Sequence, residues 1–451
     1  MRIYIDQSTI QALKREGGDE LLQRILEDNQ KNIYCFSEAH IHDLVRDRTD
    51  EKFKDMDLLE QIAGNHCFHW DERPKFDPWT PRQHHARFDW DFQLDILEKS
   101  PEMSLLTDYL QTIPLNFRDL ADESRLPADM PPDYRELFAQ TTTFYDFFQA
   151  FYGFSHGLSA EQKKFRAFLQ YLHKHDYLKV IYTHFGIEGF DGKQITDPKL
   201  FLETYSAYIK KQLTQKDDYS LFLAMYYSLE FLGLVKGKVR KQQLMNLIND
   251  ARHAFFGAFC DIIVSSDEDF LKKTAFIYKA MQVWATPMTT DEFAAWLAKQ
   301  APPEHHFQGL LNELNDLHQK KLLRHEQVGT TTYTCYALER VYFYYFDTVT
   351  IGMEGETAFF YYSREQVRLS NGVFFEELNR IIEFLTKEIG PDLYDQGKAA
   401  PEEVTEGHWP GRAWLLDGYA AELVLNDHGI HLTFNPVPQT NEESTVSNRD
   451  A

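Results

Sequence analysis

A chain of 451 residues is long enough for roughly two to four domains, and its 43% hydrophobic and 15% aromatic content supplies several packed cores, which excludes a disordered chain. No apolar run of about 18 residues and no basic-then-apolar leader occurs, so neither a membrane span nor a signal peptide is expected. The four cysteines (Cys35, Cys67, Cys260 and Cys335) form no CxxC pair, which points to a reducing, cytoplasmic setting, and a net charge of -23 opposes broad nonspecific adhesion to nucleic acid while leaving room for a nuclease whose metal ligands are themselves acidic.

In chain order, Ile3-Tyr4-Ile5 is a short β-favouring run ending in Asp6, and Ser8 is a plausible cap for the helix that follows. A helical segment at 21–25 leads to a second strand, Asn32 to Phe36, after which Ser37 caps a helix opening with Glu38. From 65 to 100 the aromatics and prolines around Trp70 and Pro81 predict an irregular loop. Apolar residues at helical spacing over 143–154, 160–175, 200–213 and 219–232 then predict an α-helical insertion spanning 65–239. A basic turn (Lys236, Lys238, Arg240, Lys241) leads into a helix carrying Asp250 and His253. The strand Ile262-Ile263-Val264 follows, ending in Ser265, Asp267 and Asp269.

The expected organisation is therefore an α/β core of parallel strands split between 1–64 and 240–285. A winged-helix-like segment is expected at 286–340, from two helices and a strand hairpin. A β-rich region at 341–437 with one helix near 374–388, and a disordered polar tail at 438–451, complete the chain.

Strands that deliver acids at their carboxyl ends are where α/β folds place ligands. Asp6, Glu38, Asp250 and Asp267 would gather at one sheet edge and form an acidic pocket able to hold Mg2+ or Mn2+, which take oxygen ligands. The spacing of these acids resembles the PIN-domain nucleases: an N-terminal strand ending in Asp (Asp6), a Glu at a helix start (Glu38), an Asp-bearing helix (Asp250), then an apolar strand followed by Ser265-Ser266-Asp267-Glu268-Asp269-Phe270. The resemblance covers a minority of the chain, and the long insertion between the second and third acids departs from compact members. It implies a parallel sheet flanked by helices and a metal-dependent endonuclease, with RNA favoured over DNA, acting through metal-activated water at Asp6, Glu38, Asp250 and Asp267.

Around that set, Ser8, His253, Asp261, Ser265 and Asp269 are candidates for orienting ligands or substrate, and Asp261 has the rival reading of a helix terminator. Lys236, Lys238, Arg240 and Lys241 are candidate phosphate contacts, with a solvated helical face as their plainer reading. His66, His69, His84 and His85 lack the spacing of a zinc site. By analogy, the accessory regions suit a toxin or antiphage effector. The competing expectation is a catalytically inactive PIN-like scaffold or sensor that binds a protein partner, or that forms a homo-oligomer.

Overall fold

A computed structural model describes residues 1–87, 217–231, 244–299, 307–365, 371–405 and 409–436, apart from a few single positions and short turns, with scattered positions between 105 and 206. The basic turn at 236–241, the helical segments expected at 143–154 and 160–175, and the tail at 438–451 lie outside the described residues.

Two sheets organise the molecule. The first has the order β4-β3-β2-β1-β5-β6, built from β1 (Arg2–Ile5), β2 (Ile33–Ser37), β3 (Cys67–Asp71), β4 (Arg73–Asp77), β5 (Ile262–Ser265) and β6 (Thr286–Thr289). Five of these strands run parallel, and β4 returns antiparallel on β3 at one edge. The N-terminal strand is central. The chain builds outward on one side through β2 and β3, then crosses back to place β5 and β6 on the other side of β1. A reversal of this kind is a topological switch point, and in open α/β sheets the crevice beyond the carboxyl ends at such a point receives ligands.

Alternation along the strands separates two faces. Ile3, Ile5, Tyr34, Phe36, Ile262 and Val264 form one apolar layer. Helices α1 (Gln7–Leu13), α2 (Gly18–Asp28) and α4 (Glu51–Ala63) cover it. The opposite face carries Tyr4, Cys35, Ser37 and Ile263. It meets α3 (Glu38–Arg46) and, beyond α5 (Pro81–Arg87) and α6 (Asp218–Phe231), α7 (Leu244–Gly257) and α8 (Glu268–Ala280). A Cβ at Gly257 would strike Ile263 and the Tyr278 hydroxyl, so this glycine lets the end of α7 approach β5. Helix α6 is apolar on every side and buried over 219–229, consistent with a helix sealed between α7 and α8.

Two expectations are corrected here. The stretch expected as an irregular loop contains β3, β4 and α5, because Cys67 and Phe68 extend the parallel sheet against Phe36 and Ser37. The winged-helix-like segment is divided between the two sheets. Residues Thr286–Thr289 pair with β5, and α9 (Thr290–Lys299) places Phe293 in the core of the first sheet. After α10 (Phe307–Asn312), β7 (Leu322–Val328) and β8 (Thr331–Tyr342) join the second sheet. Two helices before a hairpin are therefore not sufficient evidence of a winged helix. Pro287 sits in β6 at the sheet edge, where a missing N–H is tolerated.

The second sheet is antiparallel with the order β11-β12-β13-β10-β9-β8-β7. Its remaining strands are β9 (Phe346–Glu354), β10 (Thr357–Ser363), β11 (Arg412–Leu416), β12 (Tyr419–Asn426) and β13 (Gly429–Pro436). The expected helix is α11 (Asn371–Ile389). It lays Phe374, Leu378, Ile381, Ile382 and Leu385, spaced at helical intervals, against Val349, Tyr362, Trp414 and Leu432. A short α12 (Pro401–Thr405) precedes β11.

The two sheets meet through α11. Glu377 accepts from Arg2 Nε and Nη2 at 3.0 and 2.7 Å, and Arg364 spans Glu377 (3.3 Å) and Asp261 (2.5 Å). Arg380 donates to the carbonyls of Lys31 and Asn32. The seam is polar and buried, so its charges are tolerable only as mutually satisfied pairs.

Phe36 is fully buried in the first core. Phe36→Ala is expected to lower the unfolding free energy by about 3–5 kcal/mol, read from urea denaturation.

Candidate functional site

The carboxyl ends of β1 and β5 are tied together by hydroxyl groups. Asp6 caps α1: its carboxylate accepts from Thr9 N (2.9 Å), Thr9 Oγ1 (3.0 Å) and Ser8 Oγ (2.9 Å). From the neighbouring strand Ser265 Oγ donates to Asp6 Oδ2 at 2.7 Å, and Asp6 N–H donates to Val264 O at 3.0 Å. The same hydroxyls serve the β5 turn, since Ser265 Oγ accepts from Asp267 N and Ser8 Oγ accepts from Ser266 N, each at 3.0 Å. Ser8 and Ser265, singled out in the sequence, thus bridge the two strand ends. Burial pushes the Asp6 carboxyl above its ordinary range, although the field of His253 and the Ser265, Thr9 and Ser8 donors oppose this.

Asp267 caps α8 through Oδ1, which accepts from the Asp269 and Phe270 amides. It is exposed at the edge, whereas Asp6 is only 6% exposed. Asp269 is half-buried and pairs with Lys272 at 3.5 Å, one step back from the edge.

Asp250 lies on α7 with its side chain 26% exposed, and Lys273 Nζ stands 4.0 Å away. Its carboxyl is pushed up to about 7. Burial is the largest cause; Lys273 and His253 oppose it, and the negative fields of Asp267 and Asp43 add to it. Asp250, Asp267 and Asp43 therefore share one electrostatic environment.

Asp43 was missed in the sequence. It sits on α3 and accepts from Asn249 Nδ2 (2.5 Å) and His253 Nε2 (3.1 Å). Burial alone would raise its carboxyl, but the bonds from His253 and Asn249 and the imidazole field outweigh that and hold it below the usual range. Glu38, the acid expected from this helix, stands at its first position, directly after Ser37. Five residues separate it from Asp43, an angle of about 140° around an α-helix. The α3 face that meets α7 carries Ala39 and Asp43, so Asp43 is the α3 acid placed beside Asp250. A helical-wheel comparison of the two acids against the buried positions Ala39 and His40 was the available signal.

His253 is the centre of a chain of hydrogen bonds. An ionised Asp43 can only accept, so His253 Nε2 donates to it, and His253 Nδ1 pairs with the Tyr4 hydroxyl at 2.7 Å. The Tyr4 hydroxyl also pairs with Ser37 Oγ at 2.6 Å, and Ser37 Oγ accepts the Ala39 N–H. His40 completes the capping box: Nδ1 accepts from Ser37 N, and Nε2 donates to Ile5 O at 2.6 Å. Burial and the field of His253 drive the His40 imidazole down to about 3, which keeps it neutral and in this tautomer.

Asp261 is a correction to the candidate set. It precedes β5 at the opposite edge, where its carboxylate binds Arg2 N–H at 2.7 Å and Arg364. Its carboxylate stays at the amino ends of β1 and β5. The candidate phosphate contacts Lys236, Lys238, Arg240 and Lys241 lie outside the described residues.

Among the described residues, no group of three or more His, Cys, Asp or Glu side chains is placed to hold one metal ion. All four cysteines are buried free thiols, and no described helix is long and apolar enough to cross a membrane. The edge offers carboxylate oxygens, the donor type hard divalent cations take, and burial, with smaller contributions from Asp267 and Asp43, raises Asp250. Mg2+ commonly binds through only one or two carboxylates and keeps several waters. No family model, curated protein or solved structure matches the chain.

The raised Asp250 carboxyl has a stability consequence. The folded chain holds this proton to about pH 7, whereas the unfolded chain releases it near its model value of 3.8, so the folded state loses stability as pH rises between those values. Asp250→Asn is expected to raise the melting temperature at pH 8 and to change it much less at pH 4, measured by differential scanning calorimetry.

Proposed function

We propose that the chain is a divalent-metal-dependent nuclease with a PIN-like core that cleaves RNA in preference to DNA. The observation carrying this reading is the Asp250 carboxyl, raised to about 7 by burial and by Asp267 and Asp43 at the switch point of a parallel sheet. Clustered like charges that an apo protein holds at a cost become favourable once a cation sits among them. Asp250 and Asp267 would hold Mg2+ or Mn2+, with Asp6 and Asp43, the latter in the place expected for Glu38, completing the acidic edge. Bound there, the ion would supply an activated water and neutralise charge on a scissile phosphodiester.

The protein's own residues set up that chemistry. Ser265 and Ser8 fix the Asp6 carboxylate. His253 fixes Asp43 next to Asp250, and Lys273, with its side chain 1% exposed, stands 4.0 Å from Asp250 as an internal counter-charge. With a net charge of -23, phosphate attraction must come from local cations rather than from the whole surface. A toxin or antiphage role remains an analogy consistent with a nuclease held within accessory regions.

One feature favours the alternative, an inactive scaffold or sensor that binds a protein partner: the buried Lys273 stands where a second cation would otherwise neutralise Asp250. Calorimetric Mn2+ titration separates the two readings. The nuclease reading expects binding that Asp250→Asn or Asp267→Asn removes, together with Mn2+-dependent cleavage of RNA abolished by Asp6→Asn with Asp267→Asn. Unchanged cleavage in that double variant would refute it, and absence of Mn2+ heat together with absence of cleavage supports the scaffold. Ser265→Ala, which removes the 2.7 Å donor to Asp6, is expected to weaken Mn2+ binding by about 10–100-fold, the range for residues that orient ligands.

A further inference from the structure

The two strands that carry the acidic edge are short, and their opposite ends share a single anchor. β1 runs from Arg2 to Ile5 and β5 from Ile262 to Ser265, so each spans about 13 Å. At their amino ends Asp261 N–H donates to Arg2 O (2.8 Å), and Asp261 Oδ2 accepts from Arg2 N–H (2.7 Å). Onto this junction the second sheet delivers Arg364, from the end of β10, and Glu377, from α11. Arg364 holds Asp261, and Glu377 holds the Arg2 guanidinium in a two-pronged contact; Arg364 also touches Glu377, which closes the network. Arg2, Glu377 and Arg364 have side chains 2%, 6% and 10% exposed, so water does little to loosen them.

The geometry points to Arg364 as a positioning residue for the carboxyl-edge site. Through Asp261 it fixes β5, and through Glu377 it fixes β1, relative to one another. The register that brings Ser265 Oγ onto Asp6 Oδ2 is set at these rear ends as well as at the front. The β-rich C-terminal region thus controls the site without touching it, by clamping the far ends of the two strands that form it. This assigns that region a mechanical role distinct from selecting substrate. The inference rests on the carboxyl edge being the working site, and its test is arranged so that the two can fail separately.

The test uses the full chain with Arg364→Met, and Arg412→Met as control. Arg412 is buried more deeply, its side chain 0% exposed against 10% for Arg364, but its partners, Glu403 and the carbonyls of Gly397, Lys398 and Gly411, all lie within the C-terminal region. Amide hydrogen exchange is followed by mass spectrometry in peptides covering 4–10 and 262–270, with urea adjusted so that both variants have equal global stability. Arg364→Met is expected to speed exchange in those peptides by about tenfold relative to Arg412→Met, within the range for residues that couple distant sites, and to weaken Mn2+ binding in parallel. Equal exchange in the two variants at the carboxyl edge overturns the inference. Where Arg364→Met does not fold, Arg364→Lys, which keeps the charge but cannot bridge both acids, gives the same comparison with a smaller expected acceleration. If the wild-type chain binds no Mn2+, the metal reading fails, while the exchange comparison still decides the clamp.

Discussion

Strand β1 has no stable existence without two partners drawn from distant parts of the chain. All four of its residues are buried, and buried backbone donors and acceptors must be paired. On one side β2 arrives after a crossover of two helices, α1 and α2; on the other, β5 arrives from residue 262 onward. The sheet is therefore complete only when the chain has returned across a separation of more than half its length. Closing so long a loop costs only slightly more than closing one half as long, since that entropy grows with the logarithm of length. A long intervening segment between the second and third acids is thus compatible with an intact core.

That return also explains why the acids are where they are. A parallel strand ends at the same edge as its neighbours, so a residue following β1 and a residue following β5 are brought together by register alone. Ser265 lies beside Asp6 because Val264 pairs with Ile5. Helices α3 and α7 approach the same edge, α3 also sending Ile41 and Val45 into the apolar core, and the run from Asp43 through His253 and Tyr4 to Ser37 ties them to the sheet. The edge holds an unfavourable arrangement, with Asp250 raised by burial first and by the fields of Asp267 and Asp43 second. Local strain of this kind at a site, compensated by the surrounding structure, is the pattern expected where charge is to be met by a ligand.

Much of this was legible in the sequence, because β1, β2 and β5 announce themselves as short apolar runs ended by Asp6, Ser37 and Ser265. Each is followed by a helix signal, and a strand–helix alternation with strongly apolar strands reads as parallel sheet. What was not legible depends on angle or on distance. Asp43 was passed over because Glu38 directly follows the strand, and only the rotation of α3 separates the two acids. Asp261 belonged by sequence to the acidic strand but by geometry to its other end, since one four-residue strand places its two flanking acids on opposite edges. The β3–β4 pair was obscured by Trp70 and Pro74, whose aromatic and proline content looks like a loop until the edge position of β4 accounts for it. The division of 286–340 between two sheets rests on long-range pairing that no local pattern encodes.

The two ends of the β1–β5 pair carry opposite electrostatic designs. At the amino end, two arginines meet two carboxylates in a closed network, so each buried charge has a counterpart. At the carboxyl end, among the described residues, the carboxylates Asp6, Asp43, Asp250 and Asp267 stand against Lys273 and His253. A buried pair that is fully matched contributes order more than net stability, and an unmatched cluster lowers stability until something positive joins it. One strand pair therefore links a self-neutralised end to an end rich in carboxylates, the end proposed to take a cation. The stiffness of the first is what allows the second to keep its acids close without the strands separating to relieve the repulsion.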